Sequence, residues 1–359
     1  MVKGFLFSLR RAAGCLLFWG MFFFPPCVLA DTGNSSTAVI LAYHRIGEDY
    51  FPQENLRQDQ FVDQIDELVS NGYAVLPLER VLSTLETRGT LPPKAVVITF
   101  EGGYRSVLDN AIPLLIKHKL PFTVFFASDK ARENNDDFLS WEDIDHLKSN
   151  PLASFGVLPA DYGRLTESSD EEIQTQVNIA KIAYREHFSR EPDFFSYPYG
   201  EYSMHVEDIL RQYGFQAAMG LQSGVAYSGS DLLALPRFSM TEKYGNIDHF
   251  RMILNSLPLP VFNVEPDDPY LHSARPSIGF SVAPDIEQDL SRLSCFVSSQ
   301  ARPDIERIGD NRVEIRLAKP ISEPRTRVNC TMPVKKDDQD DDSAQRWRWL
   351  GFLFTLAPQ

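Results

Sequence analysis

The sequence predicts an α/β fold built on a parallel sheet, followed by a smaller β-rich domain. Three observations carry that expectation. Apolar strand-like runs alternate with helix-period segments from Val39 onward, the helix ends carry capping signals, and near residue 258 the alternation stops at a cluster of prolines.

The first strand reads VILAYH from Val39. Helical periodicity follows in QFVDQIDELVSNG from Gln60, LERVLSTLETRG from Leu78, NAIPLLIKHKL from Asn110, SWEDIDHLKS from Ser140, DEEIQTQVNIAKIAYREHF from Asp170 and MHVEDILRQYG from Met204. Between them lie the strand-like runs YAVLP, AVVITF, FTVFFA, LASFGVL, FFSYPYG and FQAAMG. Ser140 with Asp143, and Ser169 with Glu172, have the spacing of capping boxes, in which hydroxyl and carboxylate satisfy the first free backbone N–H groups. Gly72 and Gly214 stand just past helical runs, where a left-handed terminator is expected.

The segment LPLPVFNVEPDDPY holds four prolines and reads as a linker over 258–272. Beyond it, PSIGFSVA, LSCFVSS, RVEIRLA, RTRVNCT and RWRWLGFLFTL read as strands of a small disulfide-linked β-sandwich over 273–359. The charged run KKDDQDDDSAQ from Lys335 reads as a solvated hairpin tip, since it lacks the glycine and distal glutamate of a calcium-binding EF-hand loop. Strand alternation places Trp347 and Trp349 on one face and Arg346 and Arg348 on the other, so the tryptophans are either core or an exposed aromatic strip.

Residues 1–30 combine Lys3, Arg10 and Arg11 with the apolar stretch AAGCLLFWGMFFF and a small-residue site at VLA, the pattern of a signal peptide cut after Ala30. The apolar core is short for a bilayer span and runs into Pro25 and Pro26, so no transmembrane anchor is expected after cleavage. Neither Cys15 nor Cys27 stands where a lipoprotein signal would place it. Cleavage leaves Cys295 and Cys330 in an exported, periplasmic or secreted chain, where they are expected to pair. The chain has 359 residues, 43% hydrophobic, which is ample for a large core, and a formal charge of −14. That charge argues against nucleic acid and anionic membranes and is compatible with a neutral or partly cationic polymer.

In parallel α/β folds, functional groups gather beyond the C-terminal ends of the strands. The positions there are Tyr43 and His44, then Glu101, then Pro159 to Tyr162, then Tyr197 to Gly200, and finally Arg237. One carboxylate, one histidine, several tyrosines and one arginine therefore converge on a single rim. The blandest account of these residues has the tyrosines in the core and Glu101 capping the helix after it.

VVITFEGGYRS, FLSWEDI, REPDFFSYPYGEYS, YGFQAAMG and LPRF, in this order, resemble the polysaccharide deacetylase family, also called carbohydrate esterase family 4 or the NodB-homology domain. The resemblance covers about residues 37–257 and implies a distorted (β/α) barrel that removes N-acetyl groups from polymers of N-acetylglucosamine or from peptidoglycan. It implies a general base at Glu101, an arginine at Arg237 that orients it, and a sugar-facing set of Tyr43, His44, Tyr162, Tyr197, Tyr199 and Gly200. The family's divalent, zinc-type ion is held by an aspartate and two histidines. The aspartate position falls on Gly102 and the histidine positions on Leu158 and Tyr162, so the triad is absent and no cofactor is expected. A rebuilt site from His44, Glu101 and Asp161 is the weaker alternative.

The sequence therefore suggests a secreted member that binds an N-acetylated envelope polysaccharide or exopolysaccharide as an accessory module. Its C-terminal β domain would be a second glycan module or a docking surface for other envelope or exopolysaccharide-machinery proteins. The rival reading is a working N-deacetylase with a noncanonical site that uses Glu101 as base.

Overall fold

The computed structural model describes residues 36–133, 135–284, 286, 290–335 and 345–358. The expected signal peptide and the tip of the acidic hairpin lie outside the described residues. Among those described, no helix is long and apolar enough to cross a membrane.

Strands β1 (Thr37–Tyr43), β2 (Ala95–Gly102), β3 (Phe122–Phe126), β4 (Ala153–Val157), β5 (Phe194–Ser196) and β6 (Ala217–Met219) lie side by side in chain order, each parallel to the next. Short strand β7 (Phe238–Ser239) returns to β1, pairing Leu41 with Phe238, while Leu235 just before it bridges Met219 at the far edge. One segment thus touches both edges of the sheet, giving the distorted barrel. Its strands are near-continuous apolar runs because both faces are buried, as parallel sheets require.

Helices α1 (Gln58–Ser70), α2 (Leu78–Glu86), α3 (Ile112–His118), α4 (Ser128–Glu133), α5 (Trp141–Leu147), α6 (Asp170–Phe188), α7 (Met204–Gln212) and α8 (Ile247–Leu254) fall between or after the strands. Both expected capping boxes form: the Asp143 N–H donates to Ser140 Oγ, the Glu172 N–H donates to Ser169 Oγ, and each carboxylate accepts from the cap's own N–H. Gly72 and Gly214 adopt φ of +70° and +80° after α1 and α7. Helices α4 and α8 were not expected from the pattern. The first spans only six residues, too few to display a period, and the second depends on the Asn246 cap that accepts from the His249 N–H.

The C-terminal part forms two sheets. Strands β8 (Leu257–Pro258), β9 (Val261–Glu265) and β10 (Tyr270–Leu271) come from the proline-rich stretch; β11 (Ile278–Val282), β12 (Ser294–Val297), β13 (Asp304–Ile308), β14 (Arg312–Arg316), β15 (Arg325–Pro333) and β16 (Trp347–Leu356) follow. One sheet joins β8 and β10 to β16, then β15, then β12, and the other runs β9–β11–β14–β13. A shared core including Ile278, Phe280, Val313, Val328, Met332 and Phe354 fills the space between them. Cys295 and Cys330 face each other across β12 and β15 and form the expected disulfide.

The stretch 258–272 is therefore not a free linker. Pro258 pairs at an edge through β16, and the register shift between Phe262 and Glu265 absorbs an irregularity, the two settings in which prolines and strands coexist. Strand β13, in PDIERIG, also went unanticipated, since most of its side chains are exposed and show little alternation.

Candidate functional site

Strand β2 carries apolar residues up to Phe100 and then delivers Glu101 into the barrel's upper interior, where the carboxylate is fully buried. A buried carboxylate must be compensated, and three neighbours do so. Arg237, also fully buried, donates from Nη2 to Glu101 Oε2. Ser196 Oγ, at the end of β5, donates to the same oxygen at 2.6 Å and accepts from Arg237 Nη2 at 2.9 Å. His44 Nε2 stands 3.6 Å from Oε1. Arg237 is anchored in turn by Gly220 O at 2.8 Å and Thr99 Oγ1 at 3.5 Å.

Burial pushes the Glu101 carboxyl up, but Arg237, His44 and Ser196 overcome that effect and hold it at about 2. Glu101 and Arg237 thus meet as the sequence suggested, while helix capping by Glu101 does not occur. The consequence is a carboxylate held in its anionic form, with Oε2 shared by Arg237 and Ser196 and Oε1 buried without a hydrogen-bond partner.

Next along β2, Gly102 adopts φ of +104°, a conformation costly for any side chain, and a Cβ placed there would clash with the ring edge of Tyr104, about 2.3 Å from Cε2. Tyr104 is 6% exposed, and burial, with help from Glu54, pushes its phenol up to about 12. The Tyr162 phenol lies beside it. Of the three positions at which the resemblance placed metal ligands, 102 is a glycine against the Tyr104 ring, 158 is leucine and 162 is tyrosine.

His44, Glu101 and Asp161 do not come together as one ligand group among the described residues, although Glu101 Oε1 and His44 Nδ1 are buried without a hydrogen-bond partner. Glu101 Oε2 is committed to Arg237 and Ser196, and Leu158 is buried and apolar. Asp161 is exposed and accepts from the Gly163 N–H at 2.7 Å, the local turn contact typical of aspartate. Among the described residues, no group of three His, Cys, Asp or Glu side chains comes together to hold a metal.

The tyrosines expected to face sugar divide into two groups. Tyr43 and Tyr197 are fully buried, with hydroxyls donating to Gln64 Oε1 at 2.7 Å and Leu233 O at 2.8 Å. Those two are core residues, a correction to the sugar-facing set. Gly200 is buried too, packed so tightly on Leu221 that a side chain would clash with its backbone N. Tyr162 and Tyr199 remain half-buried at the rim and stack on one another, ring centroids 5.8 Å apart and planes within 8°. Both adopt left-handed backbone, with φ of 65° and 60°.

Several rim residues were not named from sequence. Arg164 places its guanidinium 5.2 Å from the Tyr199 ring, and Arg45 lies 3.8 Å from Tyr104 and 4.6 Å from the exposed Phe51. Strand β15 contributes as well: Arg325 donates to Tyr199 O and lies 2.9 Å from Glu201, itself 1% exposed, with Arg164 at 3.5 Å on the other side. Arg327 donates to Leu221 O at 2.6 Å, and burial beside Arg325 lowers its pKa to about 10. The GGY following Glu101 was the available signal for Tyr104. Nothing local could announce arginines that reach the rim from more than a hundred residues away.

Trp349 is half-buried, packs edge-on against Phe238 of the barrel at 5.2 Å and donates to Asn329 Oδ1 at 3.4 Å. It belongs to the junction between the two regions.

Residues 88–218 match the family model described as polysaccharide deacetylase. A poly-β-1,6-N-acetyl-D-glucosamine N-deacetylase of Staphylococcus aureus is 23% identical over 243 residues, covering 61% of this chain and 83% of that protein. Among solved structures, a Streptococcus pyogenes deacetylase, PplD, in complex with acetate superposes with a TM-score of 0.57 at 19% identity, covering 62% of this chain and 99% of the other. IcaB from Ammonifex degensii gives 0.52 at 22%, covering 62% and 97%. At these identities the structural likeness establishes the fold.

Proposed function

We propose that this chain, which belongs to the polysaccharide deacetylase family through residues 88–218, is an exported polysaccharide-binding accessory protein that does not use metal-dependent hydrolysis. The single observation carrying this reading is the Tyr104 ring occupying the space in which a side chain at residue 102 would begin. Glu101 completes the argument: it is fully buried, bound to Arg237 and Ser196, and held at about 2. With Oε2 taken by Arg237 and Ser196, proton transfer would have to use Oε1, which is buried without a hydrogen-bond partner.

The surface that remains suits a neutral sugar polymer. Tyr162 and Tyr199 offer apolar ring area, Arg164 lies over the Tyr199 ring, and the buried Arg45 backs the exposed Phe51. The polymer named for the staphylococcal relative, poly-β-1,6-N-acetylglucosamine, supplies the substrate class.

Calorimetric titration with N-acetylglucosamine oligomers, alongside metal analysis and an acetate-release assay, tests the reading. Binding that is lost in Tyr199→Ala, with no acetate released, supports it. A stoichiometric divalent ion together with acetate release abolished by Glu101→Gln would establish the rival, an N-deacetylase of noncanonical site.

A further inference from the structure

A cavity of 270 Å³ opens at the junction of the barrel and the C-terminal sheets, and its lining includes none of Glu101, Tyr162 and Tyr199. The barrel lines it with Tyr202, Gln222, Tyr227 and Asp231, the proline-rich stretch with Asp267, and β16 with Trp349. Its size is near the lower end of ligand pockets, about 300 Å³, room for one or two sugar units but not for a longer run of polymer. Junctions of this kind are a preferred place for small-molecule sites, and the half-buried rings of Tyr202, Tyr227 and Trp349 give it the apolar area on which a pyranose can rest.

Its charge selects the ligand class. Two aspartates line the cavity, and no lysine, arginine or histidine does so among the described residues. Asp267 is exposed and its Oδ1 accepts the Asp268 N–H at 2.9 Å, while Asp231 Oδ1 accepts the Leu233 N–H at 2.8 Å, so each retains acceptor capacity. The Tyr202 phenol registers the field: burial raises its pKa, and Glu207, Asp231 and Asp268 raise it further. The neighbouring cation, Arg211, is already paired to Glu207 and Asp208. A carboxylate-bearing or phosphorylated sugar would be repelled here, whereas an ammonium-bearing one would be attracted by both solvent-exposed aspartates.

We propose that this junction cavity binds an amino sugar with a free ammonium group, that is, a deacetylated glucosamine-type unit of the polymer. The inference rests on the polysaccharide reading for its ligand family but on different residues for its site. It makes the chain a two-site reader, with acetylated units on the tyrosine rim and de-N-acetylated units at the junction. Such a protein would prefer partially deacetylated polymer over either pure form.

The test is titration of the full mature chain with glucosamine and N-acetylglucosamine oligomers of equal length at low ionic strength. Wild type should bind the glucosamine oligomer, and the paired substitution Asp231→Asn with Asp267→Asn should weaken that binding about tenfold. Asparagine keeps both local acceptor contacts, and Trp349→Phe provides an independent variant from the β16 side that should also weaken it. In the Tyr199→Ala background, glucosamine binding should still depend on the aspartate pair. Absence of glucosamine binding, or binding indifferent to the aspartate pair, overturns the proposal. If acetylated oligomer still binds through Tyr199 in that case, the rim reading stands alone. If glucosamine binds through the junction while acetylated oligomer fails to bind, the junction site stands and the rim reading falls.

Discussion

The ring of Tyr104 lies where a side chain on Gly102 would begin. A ligand side chain at 102 needs the space the ring fills, and the ring is itself held between Phe138, 5.0 Å away, and Arg45, 3.8 Å away. The left-handed backbone at Gly102 adds a second barrier.

Gly102→Ala should therefore destabilise the fold by about 2 kcal/mol or more, combining steric clash with unfavourable φ. In a Tyr104→Ala background the clash is removed and only the backbone cost remains. Denaturant unfolding of the four species should show coupling on the order of 1 kcal/mol between the two sites. Additive effects would mean that the ring moves aside freely and that position 102 is open.

Glu101 makes the barrel's stability depend on pH in a defined direction. Its folded pKa, about 2, is lowered from the ordinary carboxylate value, so its contribution is fully present above that ordinary value and is lost as pH falls toward 2. The amount is on the order of 3 kcal/mol if the unfolded chain titrates normally. Glu101→Gln should unfold more easily at pH 7, and the difference from wild type should shrink between about pH 4.5 and 2. A gap that stays constant across that window would show that the carboxylate's charge is not what Arg237 stabilises.

Breaking the same pair from the other side should be worse. Arg237→Met leaves a fully buried carboxylate facing Ser196 and His44 alone, a loss of about 3–5 kcal/mol. Adding Glu101→Gln removes the stranded charge and should recover a large part of the loss, measured as the denaturation midpoint. Failure of the double variant to recover would assign Arg237's worth to its bonds with Gly220 and Thr99 instead.

The parts of the molecule that could be read from sequence are those whose causes are local. Capping boxes at Ser140 and Ser169, the glycine terminators and the period of α6 depend on residues a few positions apart. The Glu101 to Arg237 pair was reachable through the resemblance, which implies that the arginine of LPRF orients the carboxylate at Glu101. Rank within that rim was not: Tyr43 and Tyr199 both follow apolar strands, yet one hydroxyl meets Gln64 in the core and the other ring stays at the surface. The proline-rich stretch misled because its strands exist only where β11 and β16 supply partners. Arg325 acquires its role from Tyr199 and Glu201, which no nearby residue signals.

Tyr199 should show opposing effects on stability and binding. Its left-handed backbone is better suited to asparagine, which tolerates that region, while the ring's stack on Tyr162 is lost on substitution. The two contributions oppose, so Tyr199→Asn should change folding stability by less than about 1 kcal/mol. Oligosaccharide affinity should nevertheless fall about tenfold, the loss of one aromatic platform. A variant that binds as well as wild type would remove Tyr199 from the binding surface.

Arg325 fixes β15 to the barrel rim through one side chain: it donates to Tyr199 O and lies 2.9 Å from a Glu201 carboxylate that is almost fully shielded. Burial raises the pKa of that carboxylate, and Arg325 and Arg164 counter the rise. Arg325→Gln keeps a donor for the Tyr199 carbonyl but leaves Glu201 to Arg164 alone at 3.5 Å. The cost should be about 2–4 kcal/mol, since a shielded charge loses its nearer partner. Glu201→Gln in the same chain should restore part of it, because the neutral amide no longer demands a cation. Hydrogen exchange supplies the discriminating readout. Loss of docking should speed exchange in the loop around Tyr199 and along β15, whereas the strands joined by Cys295 and Cys330 should keep their protection. Uniform acceleration through both regions would mean that they unfold as one unit and that Arg325 serves the whole fold, with no special claim on the rim.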